Sequence, residues 1–112
     1  MESTRQKKVA RSIQKELGSF FQRQGSGIFP GKMITVTVVR ISPDLSQAKV
    51  YLSIFPSGNS REILKSISEK GKTIRHELGN NLRNQLRIIP ELSFFLDDSL
   101  DYVQNIEDLL KS

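Results

Sequence analysis

The sequence has no cysteine, no tryptophan and a single histidine. Without thiols there can be no disulfide, no thiolate-bound metal and no cysteine nucleophile. The lone histidine, His76, would need carboxylate partners such as Glu69 or Glu77 to hold a metal, and the spacing does not suggest such a site. No apolar run approaches the roughly 20 residues needed to cross a bilayer. The N-terminal MESTRQKKVARS lacks the apolar core of a secretion signal. We therefore expect a cytoplasmic protein with no catalytic group, cofactor, metal site or membrane contact. The chain's 112 residues suffice for one domain, 1–112, with a modest core.

What the sequence has in excess is positive charge, unevenly placed. The net charge is +5, with residues 1–24 and 60–88 each at +4 and residues 89–112 at −5. Two basic segments suggest a polyanionic partner, most often nucleic acid, against the plainer reading of a basic surface kept for solubility. An acidic tail leaves a second class of partner open, a basic protein that the tail could dock on.

Residues 4–24 have helical spacing: Val9, Ile13, Leu17 and Phe20 fall on one side, and Lys7, Lys8, Arg11 and Lys15 on the other. No acid interrupts that stripe, although a mixed-sign face is the usual way to support a surface helix. Three glycines and Pro30 between residues 25 and 32 predict a loop. MITVTVVRIS (33–42), with partial alternation, and AKVYLSIF (48–55), with full alternation, read as an antiparallel hairpin turned at Pro43-Asp44. Asn59 and Glu62 form a plausible capping pair for a short helix containing Ile63, Leu64 and Ile67. After Gly71, Ile74, Leu78, Leu82 and Leu86 recur every four residues, predicting a longer helix. Its other side carries Lys72, His76, Arg83 and Arg87, with Arg75 at the edge. Pro90 stops it, LSFFL (92–96) reads as a third strand, and a last helix is expected with Ile106, Leu109 and Leu110 on its apolar side. The order α-β-β-α-α-β predicts an α+β domain with helices on one face of a three-stranded sheet.

Gly71-Lys72-Thr73 resembles the end of a nucleotide-binding loop. That loop needs a glycine five positions earlier, where Ser66 stands, and a preceding strand, where a helix is predicted. Gly71 instead reads as a kink or a close backbone approach between two helices. Lys70, Lys72 and Arg75 beside it would then face a phosphate backbone, aided by the free N–H groups of the second helix. A hydrolase working through Asp97, Asp98 or Lys72 is a remote alternative. Aromatics are few, and Phe29, Tyr51 and Phe55 are the candidates for exposed stacking surfaces, so recognition of backbone and shape is expected over base reading.

Several stretches resemble ribosome-binding factor A, a family of bacterial small-subunit assembly factors. They are RQKKVARSIQKEL (5–17), TVTVVRISPDLSQAKVYLS (35–53), GKTIRHEL (71–78) and LRNQLRIIPELSFFLDDSL (82–100). The resemblance implies a single-domain type-II KH-like fold in which an Ala-x-Gly kink replaces the Gly-x-x-Gly loop. Here the triplet is Glu69-Lys70-Gly71, with glutamate in the alanine position. In the loop after the first helix, where relatives commonly carry Asp-Pro-Arg, a basic role falls to Lys32. The implied function is binding of a monomer to rRNA of immature small ribosomal subunits, assisting late maturation, 5′-end processing and growth in the cold. Ribosomal proteins are possible further partners.

Overall fold

The computed structural model describes residues 3–56 and 58–97. The last helix expected near Ile106, Leu109 and Leu110 lies outside the described residues. Among those described, the order is α1 (Thr4–Ile28), β1 (Met33–Ile41), β2 (Gln47–Phe55), α2 (Ser60–Glu69), α3 (Gly71–Leu82) and β3 (Glu91–Leu96). Strand order is β1-β2-β3, with β1 antiparallel and β3 parallel to β2. This is the expected single α+β domain, and its mixed sheet under one layer of helices fits a type-II KH-like fold.

α1 begins with a reciprocal cap. Ser3 Oγ accepts the Gln6 N–H at 3.1 Å, and Gln6 Oε1 accepts the Ser3 N–H at 2.8 Å. This Ser-x-x-Gln capping box satisfies donors that a helix start otherwise leaves open. Gln6 is also buried, and its amide donates to the Ile41 carbonyl at 2.9 Å, fastening α1 to the end of β1. The helix runs on to Ile28, through the residues expected to form a loop. Each glycine costs about 1 kcal/mol in a helix. The six turns already formed mean that each added residue bears only the propagation step, not nucleation. The chain turns instead at Gly31, whose φ of 78° is the left-handed conformation that glycine adopts without strain.

The partial alternation of β1 has a structural cause. Ile34 and Val36 are buried, then Val39 and Ile41, because a bulge between Val36 and Val38 shifts the register against β2. β2 alternates without interruption, burying Ala48, Val50, Leu52 and Ile54. The β1–β2 turn is tied by Asp44, whose Oδ1 accepts from the Ser42 hydroxyl (2.7 Å), the Ser46 hydroxyl (2.7 Å) and the Ser46 N–H (3.1 Å).

Three expectations need correction. Asn59 precedes α2 in a left-handed conformation (φ 63°, ψ 18°) and its side chain makes no capping bond. An N-cap normally needs extended backbone for that bond, so the Asn59–Glu62 pair does not form a capping box. Secondly, α3 ends at Leu82, short of Leu86. The N–H groups of Gln85 and Leu86 both donate to the Leu82 carbonyl at 2.8 Å, closing the helix in a turn. The chain must then reverse so that β3 can run parallel to β2, and Leu86 packs on the core from this connection. Thirdly, the break between α2 and α3 is centred on Lys70 (φ −92°, ψ 9°), with Gly71 the first residue of α3. A Cβ on Gly71 would sit 3.9 Å from the Phe94 ring, an ordinary contact. The kink is present, and no close approach demands a glycine there.

The core lies between the helices and one face of the sheet. Ile13, Leu17, Val50, Leu52 and Ile67 are at most 1% exposed, and α1 packs chiefly on β1 while α2 and α3 reach β3.

Candidate nucleic-acid interface

Lys7, Arg11 and Lys15 are exposed along α1 at four-residue steps, about 6 Å apart along the axis, with Lys8 exposed beside them. The opposite face of α1 is consumed by Val9, Ile13, Leu17 and Phe20 in the core, which forces the cations outward. Next to α1 in the helical layer is α3. Asn81 Nδ2 of α3 donates to Glu16 Oε1 of α1 at 2.7 Å, and Glu16 also sits 3.7 Å from Arg23. Glu16, the one acid in this part of α1, is thereby turned to the neighbouring helix and away from the cationic row.

α3 presents Lys72, Arg75 and His76, all exposed. With Gly79, Asn80 and Ile89 they line an open groove of about 450 Å³. Arg75 also ties two segments together. Its Nε–H donates to the Pro90 carbonyl (3.1 Å) and its Nη2 to the Ile89 carbonyl (2.7 Å). The guanidinium therefore anchors the segment leading into β3 and presents its remaining donors outward.

That segment connects the two basic elements. A cavity of about 590 Å³ lies between the N-terminal half of α1 and residues 85–88, with Arg5, Lys8, Arg87 and the acid Asp44 among its lining residues. Ile88 lines this cavity and Ile89 lines the α3 groove, so neighbouring residues border both. Arg87 thus lines the same cavity as Lys8, although the helical period assigns it to the α3 side. Arg83 is exposed at the C-cap of α3, off the helix proper. Arg5 is a residue that sequence reasoning misses. Its spacing of three from Lys8 is a signal, but its place beside the same cavity as Arg87 depends on the reversal after α3.

Lys32 and Lys70 stand apart from this grouping. Lys32 is half-buried, and its Nζ donates to the carbonyls of Pro56 (2.8 Å) and Gly58, holding the β2–α2 connection. Lys70, exposed at the kink, has its Nζ 5.6 Å from the centre of the Phe29 ring. Phe29 itself packs against the core, so it is not a free stacking surface. Tyr51 is half-buried on the far side of the sheet and stacks on Phe95 at 5.5 Å, and Phe55 is exposed. Among the described residues no three acidic, histidine or cysteine side chains gather where a metal could sit, and no helix is long and apolar enough to cross a membrane.

A family model described as ribosome-binding factor A matches residues 5–110. A ribosome-binding factor A of Cytophaga hutchinsonii is 48% identical over 110 residues, spanning 98% of this chain and 83% of that protein. The crystal structure of ribosome-binding factor A from Thermus thermophilus superposes with a TM-score of 0.65 at 22% identity, covering 81% of this chain and 94% of that one. A second Thermus thermophilus structure of the factor, a homology model fitted into a cryo-electron-microscopy map of its complex with the 30S subunit, has a TM-score of 0.60 at 21% identity, covering 88% and 97%. At those identities the structural likeness is one of fold. The match over residues 5–110 and the near-half identity along almost the whole length establish that the chain belongs to the ribosome-binding factor A family.

Proposed function

We propose that this protein binds the small ribosomal subunit, as the Thermus thermophilus factor does in the 30S complex. The helical layer would be the face that contacts rRNA. The observation that carries this reading is the junction of two basic surfaces, Lys8 and Arg5 on α1 with Arg87 beyond α3, flanked by the α1 row and the Lys72–Arg75–His76 groove. Long cationic side chains spread over two helices suit phosphate contacts, which position a protein on RNA without reading sequence. The protein acts in the cytoplasm as a non-catalytic assembly factor on immature free subunits. It assists late maturation and 5′-end processing of the rRNA and leaves before translation.

Co-sedimentation with free small subunits and with assembled ribosomes, over a range of salt, tests this. Association with free subunits that weakens steeply as salt rises is the expected result. Equal association with assembled ribosomes, or binding indifferent to salt, would remove the reading.

A further inference from the structure

The cavity between α1, the β1–β2 turn and the connection after α3 holds more than phosphate contacts would use. Its cations come from α1 (Arg5, Lys8) and from the connection (Arg87). Its acid, Asp44, comes from the turn, whose residues 42–47 include no cation. These opposite charges share a cavity without pairing. Among the described residues, none of the three cations makes an ion pair or a side-chain hydrogen bond. A site for phosphate alone has no use for a carboxylate, which repels it.

Asp44 is also fixed, and only half engaged. Its bonds from the Ser42 hydroxyl, the Ser46 hydroxyl and the Ser46 N–H all go to Oδ1. Its Oδ2 has no hydrogen bond to another described residue. The next residue, Leu45, has left-handed backbone (φ 65°), and its N–H donates to the Ser42 carbonyl at 2.9 Å. Only a firmly tied turn keeps a leucine in that conformation, so the carboxylate is in place before a ligand arrives. Leu45, Leu86 and Ile88 add apolar walls, and Ile88 is 68% exposed. The volume of about 590 Å³ falls within the range of small-ligand sites, about 300–1,000 Å³. The cavity lies at the N-terminal end of α1. The α2–α3 break is at the other end, where Lys70 lies over Phe29, the residue after α1. The two places are therefore separate.

We propose that this cavity takes one unpaired guanosine of RNA, its phosphate on the cations and its base edge on Asp44 Oδ2. The inference rests on the RNA-binding reading above and adds the selection of one base to it. Of the parts of a nucleotide, the phosphate answers Arg5, Lys8 and Arg87. The base must then offer N–H donors to an ionised carboxylate, which can only accept. Guanine presents N1–H and N2–H side by side on one edge, and on another the O6 and N7 acceptors that suit arginine. Uracil has a single N–H between two carbonyl oxygens, which a carboxylate repels. Adenine and cytosine carry an amino group, but the ring nitrogen beside it is an acceptor. Guanine is thus the base that matches an acid and cations in one cavity. Unstacked bases are held between apolar walls and guanidinium planes, and both are present here. An acidic peptide would satisfy the cations and be repelled by Asp44.

Short single-stranded oligouridines that differ only in their central base, titrated into the full chain by fluorescence anisotropy, test this. The strand with a central G should bind at least ~5-fold more tightly than those with U, A or C, the low end of what a base-edge contact discriminates. Asp44→Asn keeps the size of the side chain and removes its charge. It should erase that preference and tighten binding of the all-uridine strand. Arg87→Ala should weaken every strand and keep the preference. In the unaltered chain, the G strand should shift the amide signals of Leu45 and Ile88 and spare Phe29 and Lys70, a readout that depends on no variant. Equal binding of all strands by a protein that still co-sediments with free subunits would overturn this proposal and leave the earlier reading standing. A preference that survives in Asp44→Asn, or shifts centred on Lys70, would overturn it too. Free guanosine monophosphate competing as well as the G strand would give the cavity to a soluble nucleotide and also overturn it. Binding to no strand and to no subunit would remove both readings.

Discussion

The helical side of the domain and the open side of its sheet are both partly apolar and partly basic, but in opposite arrangements. On the helical side apolar residues point inward and cations outward, so Val9, Ile13 and Leu17 vanish into the core while Lys7, Arg11 and Lys15 stay solvated. On the open side apolar rings and cations share one surface, with Tyr51 and Phe95 stacked in the same face as the Arg40–Lys49 pair. A solvated cationic row suits a hydrated polyanion, because long side chains follow phosphates while keeping water. A mixed apolar and cationic surface suits an amphipathic peptide, because burial of the apolar part supplies the driving force and the charges set the register. One small sheet therefore separates two differently built surfaces.

Reversing Lys8, Arg11 and Lys15 to glutamate breaks this comparison most sharply. Binding to free small subunits should fall at least ~100-fold near physiological salt, and the salt slope should drop by about 2–3, since each lost phosphate contact removes close to one unit. The thermal midpoint should hold, because none of the three side chains is buried. The matching reversal of Arg40 and Lys49 on the sheet should leave subunit binding unchanged. If co-sedimentation gave the two sets equal effects, the division between faces would be wrong.

Gln6→Ala sharpens the comparison by testing what ties the layers together. It removes half of the capping box and the bond to the Ile41 carbonyl, and should lower unfolding stability by about 1–3 kcal/mol in a denaturant titration. Gly71→Ala should act in the other direction. With ordinary clearance to Phe94, alanine should raise stability by up to about 1 kcal/mol and leave subunit binding intact. A large loss would show that the kink needs the glycine after all.

The smallest effect concerns the hairpin turn, whose Asp44 and Leu45 line the cavity shared by Arg5, Lys8 and Arg87. The Ser42 hydroxyl first, then the Ser46 hydroxyl and N–H, hold the Asp44 carboxyl at about 2 instead of 3.8. A folded-state value below the unfolded one means that the unfolded chain binds the proton more readily, so stability rises with pH across this interval. Asp44's contribution should be complete above about pH 4 and vanish as pH falls through 2. Asp44→Asn should flatten that part of the pH–stability curve.

Much of this fold is legible in the sequence. β2 can be read because its alternation is unbroken from Gln47 to Phe55, and the apolar row of α1 because one helix face repeats at a constant interval. β1 is legible as a strand but not as a bulged one, since a single extra residue changes register without changing composition. The run from Ile74 to Leu86 misleads at its end because Leu86 reaches the same core from a connection that Leu82 reaches from a helix. For the candidate site, the Lys7–Arg11–Lys15 row can be seen because it depends on one helix alone. The engagement of Lys32 with two carbonyls and of Arg75 with two others cannot, since nothing local to those residues names their partners.

Sequence by itself determined the segregation of charge, the element types, the burial of one face of α1 and membership of a family, since these depend on composition and short-range period. Only the tertiary structure decided that Arg5, Lys8 and Arg87 line one cavity, and that Met33, Val38, Phe55 and Phe95 share one face of the sheet. Those placements are set by where the chain reverses and by strand register. Both follow from how the whole core closes, and no window of neighbouring residues contains that information.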